Sequence, residues 1–376
     1  MIVRILTAAL ATVVCVSGAR AQQDQIPRLR VRLAESIRLD GRLDEPAWIT
    51  TDSIGQLTEV EPNEGGTPAA RTVVRLLAER GALVVGVRAY DDNPAGIVSQ
   101  SKDRDAGLGN EDHIRFVLDT FLDGRTGYIF AVNPSGARFD ALVADQGEGE
   151  NSNWDAIWDA ATQRLPDGWS AEIRIPIRSL SFKRGLREWG FNIQRRIQRT
   201  QNVSRWAGAR LDYRIMQTVH AGRITELPDF DVGVGLSVRP AVHGSTGSAG
   251  PGIATEREFD GSLDATQRIG ANLLGALTIN TDFAETDADT RRTNLTRFPL
   301  FFPEKRSFFL EGADIYQFGL GLGQDVLPFH SRRIGLLSGL EVPLDAGTKL
   351  NGRINDTNLG ALVVRTGDVE SIAPAA

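Results

Sequence analysis

Short alternating or continuously apolar stretches, each closed by a turn signal, recur through the first 225 residues and confine this part of the chain to β structure. Val73–Leu77 and Leu83–Tyr90 read as strands joined at Glu79-Arg80-Gly81, with Val85, Val87 and Ala89 on one face and Val84, Gly86, Arg88 and Tyr90 on the other. Ile114–Asp119 is a further strand, and Gly127–Asn133 and Ala137–Leu142 form a hairpin across Pro134-Ser135-Gly136. Asn153–Ala160 alternates with period two, which places Trp154, Ala156, Trp158 and Ala160 on one face of a predicted strand. After the turn Leu165–Gly168 the chain returns as Trp169–Ile175, and Trp189–Arg196 follows. Near the start, Arg28–Leu33 alternates weakly, Asp40-Gly41 makes a turn, and Asp44 is placed to cap a short helix whose first turn holds Glu45 and Pro46 and whose buried anchor is Trp48. Many short strands with frequent turns over about 200 residues predict a β-sandwich.

All six tryptophans lie between positions 48 and 206, and this composition break sets a boundary near Leu227-Pro228-Asp229. Beyond it Val232, Val234, Leu236, Val238 and Val242 alternate with glycine, serine, arginine and alanine, over about the length of one tilted membrane strand. Phe259–Gln267, Leu273–Asn280, Thr348–Ile354 and Leu359–Arg365 read as further strands. That makes about five, whereas a closed membrane barrel needs about eight, so the chain is expected to be a fragment of a longer one. Between them, residues 281–335 mix Phe298, Phe301, Phe302, Phe308 and Phe309 with Asp287, Asp289, Arg291, Arg292, Glu304, Lys305 and Arg306. Such a mixture suits the polar lumen of a large antiparallel barrel, where charges pair and rings pack, or else a long ordered loop on a soluble β domain.

Residues 1–21 have the form of a secretory leader: Arg4, an apolar core from Ile5 to Val16 too short to span a bilayer, and Ala19-Arg20-Ala21 before Gln22. The single cysteine, Cys15, falls inside it, so the exported chain carries no disulfide. A net charge of −6 argues against nucleic acid as a partner.

Two sets of strings add a resemblance. LDGRLDEPAW at 39–48, DTFLDGRTGYIFAVNPSGARFDA at 119–141 and GWSAEIRIPIRSLSF at 168–182 resemble carbohydrate-binding-module family 9-like domains. NTDFAETDAD at 280–289, NLTRFPLFFPEKRSFFLEGADIY at 294–316 and SRRIG at 331–335 resemble a DUF5916-type membrane β-barrel domain of uncharacterised bacterial outer-membrane proteins, whose usual NPDF is here broken by Thr281. The resemblance implies an all-β chain with a leader at 1–21, a sandwich at 22–226 in the periplasm, and the start of an outer-membrane barrel at 230–376 with a plug-like segment at 281–335. It also implies a glycan or polysaccharide partner, used in uptake or catabolism at the outer membrane.

For sugar binding, aromatic faces flanked by amide and carboxylate side chains are required. Trp154 and Trp158 beside Asn153 and Asp155 are the first candidates, Tyr128 and Trp206 the next. Trp154, nearer the strand start, is expected to be the exposed stacking face and Trp158 the core residue. Asp91, Asp92, Glu111 and Asp112 at strand ends are candidate calcium ligands. No cofactor is otherwise expected. The alternatives are a glycoside hydrolase using carboxylates among Glu304, Glu311 and Asp314, and a structural envelope protein without a sugar ligand. His113, His220, His243 and His330 form no nucleophile–base constellation in the sequence.

Overall fold

The computed structural model describes residues 26–144, 147–230, 235–247, 256–269, 273–281, 304, 306–310, 312–316, 329–337, 340–354 and 357–367. The leader at 1–21, Glu311 and most of 281–303 lie outside the described residues, as do the side chains of His243 and Asp314.

Two sheets pack face to face. One runs in the order 28–30, 222–225, 188–197, 113–119, 128–132, 138–144, 149–151, with 202–205 paired to 188–197 and to 58–61. The other runs 159–165, 168–176, 82–90, 72–79, 32–33, with 53–54 on 72–79. Their facing side chains form one core in which Val74, Leu76, Val85, Val87, Trp169 and Ile173 meet Ile114, Phe116, Phe130, Phe191 and Ile193. The period-two pattern of each strand supplies these rows, so the sandwich follows from alternation and turn placement.

The segment expected as one strand at Arg28–Leu33 divides. Arg28–Arg30 pairs in parallel with Arg223–Thr225 of the first sheet, and Arg32–Leu33 pairs in parallel with Leu77–Ala78 of the second. The short helix is Pro46–Thr50, and its N-cap is Glu45 rather than Asp44, with no side-chain cap bond. Proline at the first helical position, with its fixed φ, sets the start. Trp48 is buried beyond the second sheet with Ile37, Leu77 and Val84. A Cβ on Gly86 would stand 2.8 Å from its ring, so the glycine is what lets the indole lie on the strand. Glu172, fully buried, accepts from the indole Nε1 at 3.0 Å and from the backbone N–H groups of Asp40 and Gly41 at 2.9 Å each.

The strand expected at 153–160 begins only at Asp159. Residues 154–158 keep alternating burial without a ladder partner, because their anchors are side chains. Asp140 accepts from Ala156 N at 2.6 Å and Trp158 Nε1 at 3.0 Å.

Strands Leu236–Gly247, Glu256–Ile269, Leu273–Thr281, Leu344–Ile354 and Thr357–Thr366 form a separate open antiparallel sheet in that order. Register puts Val238, Ala265, Leu277, Thr348 and Val363 in one row, and Pro240, Leu263, Ile279, Ala346 and Arg365 in the next, on the same face. Leu277 and Ile279 on this face are exposed, as are Leu236, Val242, Leu350 and Leu359, and Val363 reaches 68%. The opposite face carries Asp264, Thr278, Lys349 and Asn351, and the short helices Ser307–Leu310 and Ala313–Tyr316 lie against it. Phe308 and Phe309 pack there on Ala276 and Leu344. No helix among the described residues is long and apolar enough to cross a membrane, which says nothing about strands.

Candidate functional site

The outer face of the first sheet carries a row of side chains that the core does not use. Pairing aligns Arg205, Gln194, Arg115, Ala131 and Phe139 across five neighbouring strands. Period-two alternation turns these outward while Phe116, Phe130 and Ile193 turn in. Leu108 packs beside Phe139 on one side, and Ile215 and Met216 pack beside it on the other, so two loops flank the strip.

Within the strip, each cation is held by planar acceptors. The Arg115 guanidinium lies 5.4 Å from the Phe139 ring centroid and pairs with Glu150. Arg205 donates to Gln194 Oε1 at 2.8 and 3.1 Å and to the carbonyls of Gly208 and Tyr213. Burial pushes Arg115 and Arg205 each down to about 10. Arg196, two residues beyond Gln194 on the same face, donates from Nε to Gln198 Oε1 at 2.8 Å and from Nη2 to Gln201 Oε1. Below it His113 is buried and pushed down to about 4, by desolvation first, with Arg115 and Arg196 adding to the effect. At the edge, Tyr213 and His220 stack at 3.6 Å with a 4° interplanar angle, and burial lowers the His220 pKa. The strip therefore presents guanidinium and amide donors, one carboxylate and partly exposed aromatic surface. Such groups bind polyhydroxylated ligands by fixed hydrogen bonds beside an apolar contact.

The residues expected from the sequence stand elsewhere. Trp154 and Trp158 are both in the sandwich core, with 9% and 1% of their surface exposed. The expected division into one exposed ring and one core ring does not occur: Tyr128 covers Trp154 at 5.0 Å, and Phe130 meets Trp154 at 6.2 Å and Trp158 at 5.2 Å. The Tyr128 hydroxyl accepts from Ser181 N at 2.9 Å. Asn153 bonds locally to Asn151, and Asp155 is exposed and pairs with Arg104. Trp206 is half-buried on Phe191, away from this group. Tyr128, Trp154 and Trp158 are thus brought together, but as packing around Asp140, whose carboxyl burial pushes up to about 6.

The calcium candidates meet cations and N–H donors instead. Asp91 accepts from Arg199 at 2.9 Å and lies 3.7 Å from Arg195. Glu111 accepts from Gln100 N, Ser101 N and Asn133 Nδ2, and Asp112 from Val98 N. Asp92 is exposed. Among the described residues no group of three or more His, Cys, Asp or Glu converges as metal ligands. Glu304 takes Arg306 Nε and Nη2 at 2.8 Å each and Ser331 Oγ at 2.7 Å. Those bonds hold its carboxyl below the usual range against the opposing effect of burial.

Arg115, Gln194, Arg196 and Phe139 are absent from the sequence expectations. Alternation in 113–119 and 188–197 carried the signal, since it sets the first three opposite Phe116 and Ile193.

Residues 236–359 match a domain of unknown function, DUF5916. No curated protein matches the chain. Among solved structures, the chain is similar to a carbohydrate-binding module of family 9 from Caldicellulosiruptor kristjanssonii in complex with cellotriose. The two are 17% identical over 53% of this chain and 93% of that one, with a TM-score of 0.40. It is also similar to a putative carbohydrate-binding protein from Bacteroides uniformis, at 10% identity over 53% and 98% of the two chains, with a TM-score of 0.44.

Proposed function

We propose that this chain is an exported glycan-binding protein of the cell envelope, whose sandwich takes carbohydrate on the outer face of its first sheet. The observation that carries this reading is the row Arg205–Gln194–Arg115–Ala131–Phe139. It gathers planar donors and a ring on one partly exposed strip, while every tryptophan candidate is committed to packing or lies apart from it. The hydroxyls on a sugar ring match such fixed donors, and the Phe139 edge offers its apolar face a contact.

The test is binding of the full-length chain, held in mild detergent, to a panel of neutral and acidic oligosaccharides. Phe139→Ala and Gln194→Ala each weaken binding of the best ligand about tenfold, as expected for the loss of one contact of about 1.4 kcal/mol. Retention of full affinity by both variants would remove the strip from the reading.

The five-stranded sheet supports an outer-membrane location. Its exposed face is mostly apolar, with Val238, Leu277, Ile279 and Val363 uncovered, while its covered face holds Asp264, Thr278, Lys349 and Asn351 beside a small aromatic cluster; a strand set that meets lipid on one side and a filled lumen on the other has this arrangement. In this reading the sandwich is periplasmic, residues 1–21 are removed on export, and the sheet is the beginning of a barrel. Carbonate extraction of bacterial envelopes checks it: the chain stays with the outer-membrane pellet, and release with the peripheral proteins would overturn it.

A further inference from the structure

We infer that the ligand of this strip is an acidic glycan, recognised through a carboxylate group by Arg196; the inference rests on the sugar-binding reading above. Three guanidinium groups stand on or beside this strip: Arg115, Arg205 and Arg196. Arg115 already has a carboxylate, Glu150. Arg205 is buried and its donors end on Gln194 and two backbone carbonyls. Arg196 differs from both. It is half-buried, and its hydrogen bonds end on the amide oxygens of Gln198 and Gln201. Amide oxygens orient a guanidinium without cancelling its charge, so this cation is fixed in direction and keeps its full attraction for an anion.

The register places a second cation beside it. Arg196 pairs with His113 and Gln194 with Arg115, so Arg196 and Arg115 are diagonal neighbours, about 7–8 Å apart at the backbone on one face. The field of the pair is felt inside the protein, since both arginines depress the protonation of buried His113. His113 is therefore neutral at physiological pH and adds no charge of its own, and Glu150 is the carboxylate already spent on Arg115. A uronic acid residue fits this geometry. Its carboxylate takes the Nη1–Nη2 edge of Arg196, the edge that Gln198 and Gln201 leave, in two parallel hydrogen bonds, while the ring hydroxyls reach Gln194 and the Arg115 edge. A neutral hexose offers the fork only single hydroxyl contacts, which are weaker than charge-assisted ones.

The experiment compares oligogalacturonate with a neutral cello-oligosaccharide of equal length, titrated into the full-length chain by calorimetry at two salt concentrations. The expected result is at least tenfold tighter binding of oligogalacturonate, weakened by added salt. Arg196→Gln removes that preference and leaves the weak neutral binding in place. Arg164→Gln, on an exposed strand of the other sheet, changes neither. Thermal unfolding of Arg196→Gln within a degree or two of the parent shows that the variant is folded; if it is not, Arg196→Lys replaces it, which keeps the charge but loses the fork and reduces the preference severalfold. Equal affinity for the two sugars, or an acidic preference that survives Arg196→Gln, overturns this inference while leaving the sugar-binding reading in place. Absence of binding to every oligosaccharide overturns both.

Discussion

Replacing Trp154 and Trp158 by alanine, one at a time, tests whether either ring is a binding surface or whether both are core. An indole buries on the order of 150–250 Å², which at about 25 cal/mol per Å² amounts to about 4–6 kcal/mol. The unfolded chain already hides part of that area, so the usable figure falls to about 3–5 kcal/mol. Trp158, with 1% of its surface exposed, belongs at the upper end. Its loss also takes the indole N–H from Asp140 Oδ1, although Arg104 Nη2 at 2.7 Å still serves that oxygen. Trp154, at 9%, belongs nearer about 3 kcal/mol, because more of its ring already meets water; the Tyr128 and Phe130 rings that pack on it keep the cost core-like. Urea unfolding followed by circular dichroism reads both values, with glycan titration in parallel. Core-like destabilisation in both variants, with sugar affinity retained at temperatures where they stay folded, is the expected outcome. A Trp154→Ala variant that loses less than about 0.5 kcal/mol but abolishes binding would refute the placement of the site on the outer face.

Three further outcomes follow from the same structure. Glu172→Ala strands three N–H donors, those of Asp40, Gly41 and the Trp48 indole, and is expected to cost about 3–5 kcal/mol in urea unfolding, with a red-shifted tryptophan emission as the helix at 46–50 loosens. A loss below about 1 kcal/mol would show that this carboxylate is not the anchor of the N-terminal segment. His113 protonates at about 4 when folded but at about 6.5 when unfolded, so as pH falls the unfolded chain takes the proton first. Its contribution is complete above pH 6.5 and is lost progressively down to about pH 4, by up to about 3 kcal/mol. His113→Gln should flatten that part of the stability–pH curve, and an unchanged slope contradicts the assignment. Leu277→Arg puts a charge in the centre of the exposed apolar row, at about 2–4 kcal/mol if that row meets hydrocarbon; the carbonate-resistant fraction should drop sharply, and normal assembly would count against the membrane reading.

Much of the strand plan was legible in the sequence because alternation is a local property. Val85, Val87, Phe116 and Ile193 reach the core through period two alone, and Trp48 could be named as an anchor from the helix it sits in. Turn residues placed the hairpin around Pro134-Ser135-Gly136, and alternation after residue 235 marked strands of the separate five-stranded sheet. What the sequence could not decide was which partners lie across the fold. Trp154 and Trp158 read as a sugar platform because tryptophan serves both stacking and packing. Only Tyr128, Phe130 and Asp140, brought in from two other strands, made them core. The alternation at 153–160 was present in burial but not in hydrogen bonding, since strand identity depends on a neighbour that local pattern does not specify. The acidic pairs at 91–92 and 111–112 looked like cation ligands until Arg195, Arg199 and a set of backbone N–H groups proved to face them. The strip itself joins residues from positions 115 to 205, on five strands whose order is set by pairing. Register between distant strands is a tertiary quantity, fixed by how the two hydrophobic faces close on each other, and it alone put Arg115, Gln194 and Phe139 in one line.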